Sequence, residues 1–436
     1  MKRLVVHWPE SLIGFAALGI MVLREVQYFI APRFWAEEIS YFIVAVGQPW
    51  YRTLFSPARG YYSLFTRAAA LAAARLVSVE HAPLVTTLLA LLVQGIPIAL
   101  VIGHTGSLFA TRWHKLAAVG ILLFTPLTAE VWLNSINSQF YWVTAAFLVL
   151  LDEVATLQPM NPVRNWLYRL LLIVAGLTGA VSCFLLPLFA LKAWLGRRNP
   201  ACQEVRIQTA ILAGCAVIQL VAALQTSPTP SSGRFSDVDL PTLAAIAGVR
   251  SWVLPLMGEA TANALGDALR AMRDNVPTQF MVGCGLVGCV QLGVMAWLAL
   301  RRGPHSLARK WCALGYGLLL VLSVVSSLGP KAMLIHGSNA QRYFYAPNVF
   351  WLMLLLFNIT PVTDATTGAL ARVCAIACSA FLLIALAQSL FIYRSSVRYD
   401  ASWPVWRDEV ALWRADPAHV LLVWPPGWKA PLPIPQ

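Results

Sequence analysis

Charge is what this sequence has least of. Only 12% of its 436 residues are Asp, Glu, Lys or Arg, against roughly 25% in a typical water-soluble domain. A surface so poor in charge cannot face water on every side, so a soluble globular enzyme is excluded. Metal and redox signatures are missing too. None of the eight cysteines forms a C-x-x-C pair, which removes the common zinc and dithiol sites. Cys374 and Cys378 share a helix face, but in an apolar run that is ordinary packing. No Walker motif or H-E-x-x-H occurs, so nothing indicates ATP hydrolysis or a zincin centre. Fixed-period repeats and low-complexity tracts are also absent. The two halves do not look alike, which weakens a transporter built from inverted repeats.

What fills the space is apolar. Hydrophobic residues make up 58% of the chain and the mean hydropathy is +0.67. Many of the 17 tryptophans stand near the ends of apolar runs, the distribution expected at a membrane–water interface. A span needs roughly 20 predominantly apolar residues. Runs suited to spanning are 11–30, 84–103, 116–132, 139–153, 168–180, 182–195, 207–224, 277–300, 312–328, 343–360 and 369–391. The pair 168–180 and 182–195 is short, with Gly179 and Pro187 as breaking points. The stretch 63–79 is rich in Ala but holds Arg67 and Arg75, and reads as a helix lying at the interface. The first run ends without a small-residue cleavage site and reads as an uncleaved span.

The expected fold class is therefore an all-α integral membrane protein of about eleven transmembrane helices. Net charge is +13, which in a soluble protein would suggest nucleic acid. Here the basic residues sit mostly in short connections, so they read as topogenic charge and headgroup contact, with membrane lipids and no nucleic acid as partners. Placing Arg112–Lys115, Arg164, Lys192–Arg206, Arg301–Lys310 and Arg372 on the cytoplasmic side puts the N-terminus inside and the C-terminus outside. The outer side then receives 31–83, 225–276, 329–342 and a tail, 392–436, rich in Trp and Pro. The tail is too small for a core of its own and is expected to pack on the outer loops. The chain thus divides into 1–391 and 392–436.

Charge near a membrane is expensive and marks places of function. Three clusters map to the outer side. The first is FWAEEISYF, where Glu37 and Glu38 follow the first run; a desolvated carboxylate there suits a general base or a ligand for a divalent cation. Neighbours cannot both point into one site, so at most one of the two is the base; acids favouring the dipole at a helix N-terminus are the alternative reading. The second is KAMLIHGSNAQRYFYAP, with Lys331, His336, Arg342 and Tyr343; an arginine there can grip a phosphate bidentately. The third is AEVWLNSINSQFYW, where Glu130, Asn134, Asn137 and Gln139 crowd a tight turn. Amides and a carboxylate suit sugar hydroxyls, though helix capping accounts for them equally well.

With these residues in view, the chain resembles the GT-C superfamily of polytopic glycosyltransferases, which carry an acidic residue in a first outer loop that also contains interfacial helices. More narrowly it is similar to bacterial multi-spanning proteins with a W-x-E-D-G-type motif, here Trp35-Ala36-Glu37-Glu38-Ile39. PARGYYSLFTRAAALAA, AEVWLNSINSQFYW, GLTGAVSCFLLPLF and Gln341-Arg342-Tyr343 follow in the same order. The motif's Asp is Glu38 here and its Gly is Ile39, so the resemblance favours Glu38 as base. It implies transfer of a sugar, for example a pentose such as arabinofuranose, from a polyprenyl-phosphate donor on the periplasmic face of a bacterial cytoplasmic membrane. The acceptor would be a glycan, a lipid or a surface protein such as a pilin. Arg342, Lys331 and Arg59 would hold the phosphate, and Glu130, Asn134, Asn137, Gln139, His336 and Tyr343 the sugar or acceptor. No cofactor is required, and a divalent cation, Mg or Mn, is optional. The competing expectations are a lipid-linked glycan flippase or transporter, and a non-enzymatic subunit of an envelope assembly.

Overall fold

The computed structural model describes residues 8–57, 60–126, 128–155, 161–199, 202–226, 238–303, 305–327, 329–359, 369–391, 403–425 and 427–432. Arg59 lies outside the described residues. The protein is mostly helical. In chain order the helices are α1 (Trp8–Leu23), α2 (Gln27–Ile30), α3 (Glu38–Gly47), α4 (Trp50–Phe55), α5 (Leu64–Leu76) and α6 (Ala82–Gly103). Then come α7 (Arg112–Phe124), α8 (Gln139–Ala155), α9 (Pro162–Leu177), α10 (Leu186–Leu195), α11 (Gln203–Gln225) and α12 (Leu240–Ala247). The series ends with α13 (Leu254–Asn275), α14 (Pro277–Leu300), α15 (Ser306–Ser326), α16 (Arg342–Leu356), α17 (Ala369–Phe391) and α18 (Trp406–Ala415). Two short antiparallel strands, β1 (Val420–Val423) and β2 (Trp428–Pro431), follow.

Among the described residues, six helical segments are long and apolar enough to cross a membrane: Val79–Gly103, Gln203–Gln225, Leu240–Asn275, Pro277–Leu300, Ser306–Ser326 and Ala369–Phe391. Five coincide with runs read from the sequence. The sixth falls in 225–276, which the sequence reading assigns to an outer connection. Arg250 and the charged run from Glu259 to Asp274 dilute its hydropathy, and three joined pieces build it. α12 runs into a π-helix, Gly248–Val253, and α13 is kinked at Gly258, whose φ of +80° is open to a glycine.

Other runs are shorter than expected. The run 116–132 is α7 ending at Phe124 and then a 3-10 turn, Ala129–Val131. The first run breaks between α1 and α2. The pair 168–180 and 182–195 parts at Gly179, as anticipated, with Pro187 seated in the first turn of α10, where proline's missing N–H costs nothing. Residues 283–288 read GCGLVG, the spacing of a dinucleotide-binding loop. They lie in the middle of α14 with no strand before them, so they lack the strand–turn–helix context that this chemistry needs. Their role is packing: a Cβ on Gly288 would sit 2.8 Å from that of Ala244 in α12.

The core centres on α16, buried from Phe344 to Leu356. Phe350 stacks on Phe147 of α8 at 3.7 Å. Gly315 of α15 makes that approach possible, because a Cβ there would meet Phe147 at 2.7 Å. α14 is the reverse case. Val282, Leu286, Val290 and Leu292 all stand exposed on it, an apolar outer face suited to lipid rather than water. The C-terminal unit packs on the segment that follows α2. Trp406, Val410, Trp413, Leu421 and Val423 share one core with Phe34, Ile39 and Phe42 from the segment after α2.

Candidate functional site

Connections from distant parts of the chain converge at the end of the bundle where α8 and α16 begin and α15 ends. The 125–138 connection is the hub. Its own amides fold it: Asn134 Nδ2 donates to the carbonyls of Glu130 (2.9 Å) and Trp132 (3.2 Å), and its Oδ1 accepts the Asn137 N–H at 2.9 Å. Asn137 Nδ2 also donates to the Glu130 carbonyl, at 2.5 Å. Asn134 thus works inside the turn. Arg24, at the end of α1, is recruited from outside. It donates to Thr128 Oγ1 at 2.6 Å and lies 4.0 Å from the centre of the Trp132 ring.

Glu37 and Glu38 part company here. Glu38 is buried, at 3% exposure. One carboxylate oxygen reaches back to the Trp35 N–H (2.8 Å), in the manner of a capping box, while the other accepts the Ser135 N–H (2.5 Å) and hydroxyl (2.6 Å). Burial raises its pKa to about 6, against these hydrogen bonds. Its carboxylate is engaged by Trp35 and Ser135, and it is not among the residues lining the neighbouring cleft. Glu37 is. That cleft has a volume of about 160 Å³, and its polar lining includes Glu37, Tyr61, Asn137, Gln139, Arg342 and Tyr343.

Arg342 opens α16 and pairs with the Glu130 carboxylate. Its Nη1 donates to Glu130 Oε2 at 3.0 Å, and its backbone N–H reaches the same oxygen at 3.2 Å. Its guanidinium lies 5.0 Å from the centre of the Tyr343 ring. Burial is the strongest single influence and opposes its charge, but the Glu130 carboxylate, Tyr343 and Glu37 together outweigh it and hold the guanidinium above its ordinary pKa. The side chain keeps 31% exposure, so the cation still faces the opening. Gln341 holds the segment, its Oε1 accepting the Ala129 N–H at 3.2 Å. Gln139 borders Gly179, where the Tyr62 carbonyl accepts the Gly179 N–H at 2.9 Å. A Cβ at Gly179 would collide with Gln139 Oε1, so only glycine lets this wall close up.

Two expected members lie elsewhere. Lys331 is buried, donating to the carbonyl of Ser327 and, at 3.2 Å, to its hydroxyl. His336 sits beside α13, 3.9 Å from Asp267 and 3.1 Å from the Ser338 hydroxyl. Neither lines the cleft. Tyr61 and Ser326 do, and neither was singled out from sequence. Tyr61 carried a signal, since it sits in the PARGYY patch of the resemblance. Arg250 carried one as well, as a charge within an apolar helix. It is buried in the π-helix and donates to the carbonyls of Leu334 (3.1 Å), Gly337 and Asn339. It thereby ties down the connection leading to Arg342.

Comparison with models of known protein families and with curated proteins finds no match for this chain.

Proposed function

We propose that this protein is a membrane glycosyltransferase of the GT-C type, moving a sugar from a polyprenyl-phosphate donor to a hydroxyl acceptor at the cleft. The observation that carries the reading is the meeting of one carboxylate, Glu37, with one partly exposed guanidinium, Arg342, and two amides, Asn137 and Gln139, in a small cleft at one end of an apolar bundle. In this reading about eleven segments cross the bilayer, the N-terminus is cytoplasmic, and the cleft opens on the periplasmic face of a bacterial inner membrane. α4 and α5 then lie along the interface. The donor's lipid stays in the bilayer and its phosphate reaches Arg342.

The chemistry follows from the groups present. The acceptor hydroxyl oxygen attacks the anomeric carbon, and its proton passes to Glu37, the general base. The bond from the anomeric carbon to the phosphate oxygen breaks, and the polyprenyl phosphate leaves as an anion. Arg342 faces that developing charge, held in place by Glu130. Asn137 and Gln139 donate to and accept from sugar hydroxyls. The assignment moves the base from Glu38, favoured by the resemblance, to Glu37, because Glu38 is spent on Trp35 and Ser135. The cleft lining offers one carboxylate, Glu37, beside the Arg342 guanidinium, a poor donor set for a hard divalent cation such as Mg or Mn, and no step is routed through one. A cleft of about 160 Å³ is below the roughly 300–1,000 Å³ of drug-sized sites, which favours a single sugar unit.

The test is transfer from synthetic polyprenyl-phosphate sugars by the purified protein in nanodiscs. Glu37→Gln and Arg342→Ala should abolish most turnover, and Glu38→Gln should lower stability more than turnover. Full activity in Glu37→Gln would remove the base from the scheme. Transbilayer movement of lipid-linked glycan without transfer would favour a flippase.

A further inference from the structure

The C-terminal unit, residues 403–432, reaches the segment carrying Glu37 by a specific backbone route. The Trp424 carbonyl accepts the Ala36 N–H, and Trp35 forms an isolated bridge with Trp424. Ala36 sits at φ +43°, a left-handed conformation that an L-residue keeps only where its surroundings hold it. The same two turns of chain are gripped on both sides. Phe34 packs edge-on against Trp406 at 5.1 Å, and Arg33 lies 5.6 Å from the centre of the Trp424 ring. Trp406 Nε1 donates to the Val79 carbonyl at 2.8 Å, anchoring the unit to the start of the α6 region. From the other side, Glu38 holds the Trp35 N–H at 2.8 Å. Residue 36 is thus fixed between an external clamp and an internal cap, and residue 37 is the next in line.

We infer that the C-terminal unit is a positioning element for Glu37: by receiving the Ala36 N–H at Trp424 it sets the turn that directs residue 37 into the cleft and leaves residue 38 for Ser135. The chemical consequence, that docking controls the base, rests on the glycosyltransferase reading; the positional consequence does not. None of the unit's described side chains lines the cleft, so it acts through the turn. Trp406 and Trp424 are its positioning residues.

The experiment uses the full-length chain in nanodiscs with Glu37→Cys, and reads the rate at which a water-soluble maleimide modifies residue 37, quantified by peptide mass spectrometry so that the native cysteines do not interfere. Tyr61→Cys, on another wall of the same cleft, is the control. Val410→Asp places a carboxylate at a position with 0% exposure inside the docking core and forces the unit away. It should change the rate at residue 37 at least about ten-fold and that at residue 61 less than two-fold. Trp406→Phe keeps an aromatic ring against Phe34, drops only the bond to Val79, and should give a smaller change in the same direction. Unchanged labelling at residue 37 in both variants overturns the inference, whatever the protein's activity. With Glu37 intact, the same two variants should lower kcat with the donor KM within about two-fold. A rise in donor KM at constant kcat would assign the unit to substrate binding and overturn positioning. Failure of every form, wild type included, to transfer sugar would defeat the enzymatic reading and leave the labelling result standing.

Discussion

The two ends of α8 each carry a polar constellation, and they are built in opposite ways. Thirteen residues separate Gln139 from Asp152 along this helix, about 20 Å at 1.5 Å per residue. At the Asp152 end everything closes inward. The carboxylate accepts the Tyr168 hydroxyl at 2.7 Å, pairs with His104 Nδ1 at 2.7 Å and binds Arg164. These groups tie α6, α8 and α9 together and line neither the cleft nor the apolar cavity among α12, α14 and α15. Nearby, Arg169 grips Glu204 with two bonds of 2.9 and 2.6 Å. At the Gln139 end the arrangement is open: Glu37 and a partly exposed Arg342 border a cleft. The same residue types therefore form a closed knot at one end and line a cleft, the reactive surface of the proposed scheme, at the other. What separates them is access: the groups at one end line a cleft, and those at the other do not.

The largest test of that contrast is at Glu37. Glu37→Gln should lower transfer about 10²–10⁴-fold, the ordinary worth of a general base, with a thermal midpoint within about a degree of wild type by fluorescence. Equal activity would erase the distinction between the ends. Asp152→Ala should do the converse. Removing one partner of a buried pair costs about 3–5 kcal/mol; the lower figure applies, since the Arg164 side chain keeps 27% exposure. The loss should appear in chemical denaturation, while kcat in the folded fraction stays near wild type. Arg342→Ala comes next, at about 10²–10³-fold in kcat. Arg342→Lys should recover only part, because the ammonium lacks the planar fork.

The smallest expected effect concerns Glu38 and pH. Its pKa is raised from 4.5 to about 6 by burial, so the native state holds this proton more tightly than the unfolded chain. The stability it contributes is full below pH 4.5 and is lost as pH rises through about 6. The change is about 2 kcal/mol at 1.36 kcal/mol per pKa unit. Comparing unfolding free energies at pH 4.5 and 7 should show this difference in wild type and not in Glu38→Gln. An identical difference in both forms would place the titrating group elsewhere. Glu38→Gln should itself cost about 1–3 kcal/mol at pH 7, since an amide turns a donor toward Trp35 or Ser135 and leaves a buried N–H or O–H unpaired.

Much of the fold is legible without coordinates. Twenty-residue apolar runs flanked by basic residues announce long apolar helices, and Gly179 and Pro187 mark a break where the chain does break. Less legible is Leu240–Asn275, because hydropathy averages over a window and this segment changes character at Gly258. The end of α7 at Phe124 also escapes the average, since Pro126 stops a helix without making the run less apolar. In the site, the three polar clusters were visible as clusters. Their membership was not. Lys331 and His336 stand within a dozen residues of Arg342 in sequence, yet 3-10 geometry and the hold of Arg250 on the 334–339 carbonyls turn them elsewhere.

The adjacent pair of acids that first drew notice makes the division plain. Composition and the position of Glu37 and Glu38 after the first apolar run determine that a carboxylate stands where the bundle meets its connections, because burying unpaired charge in an apolar segment costs too much. Sequence also determines that the two cannot share one site, since consecutive side chains diverge. Which one faces the cleft is a tertiary decision. It depends on Ser135, 97 residues away, taking up Glu38, and on Trp424 receiving the N–H of Ala36 from the far end of the chain. Hydrogen bonds are satisfied in space, and no pattern of neighbours along the chain encodes which partner will be there.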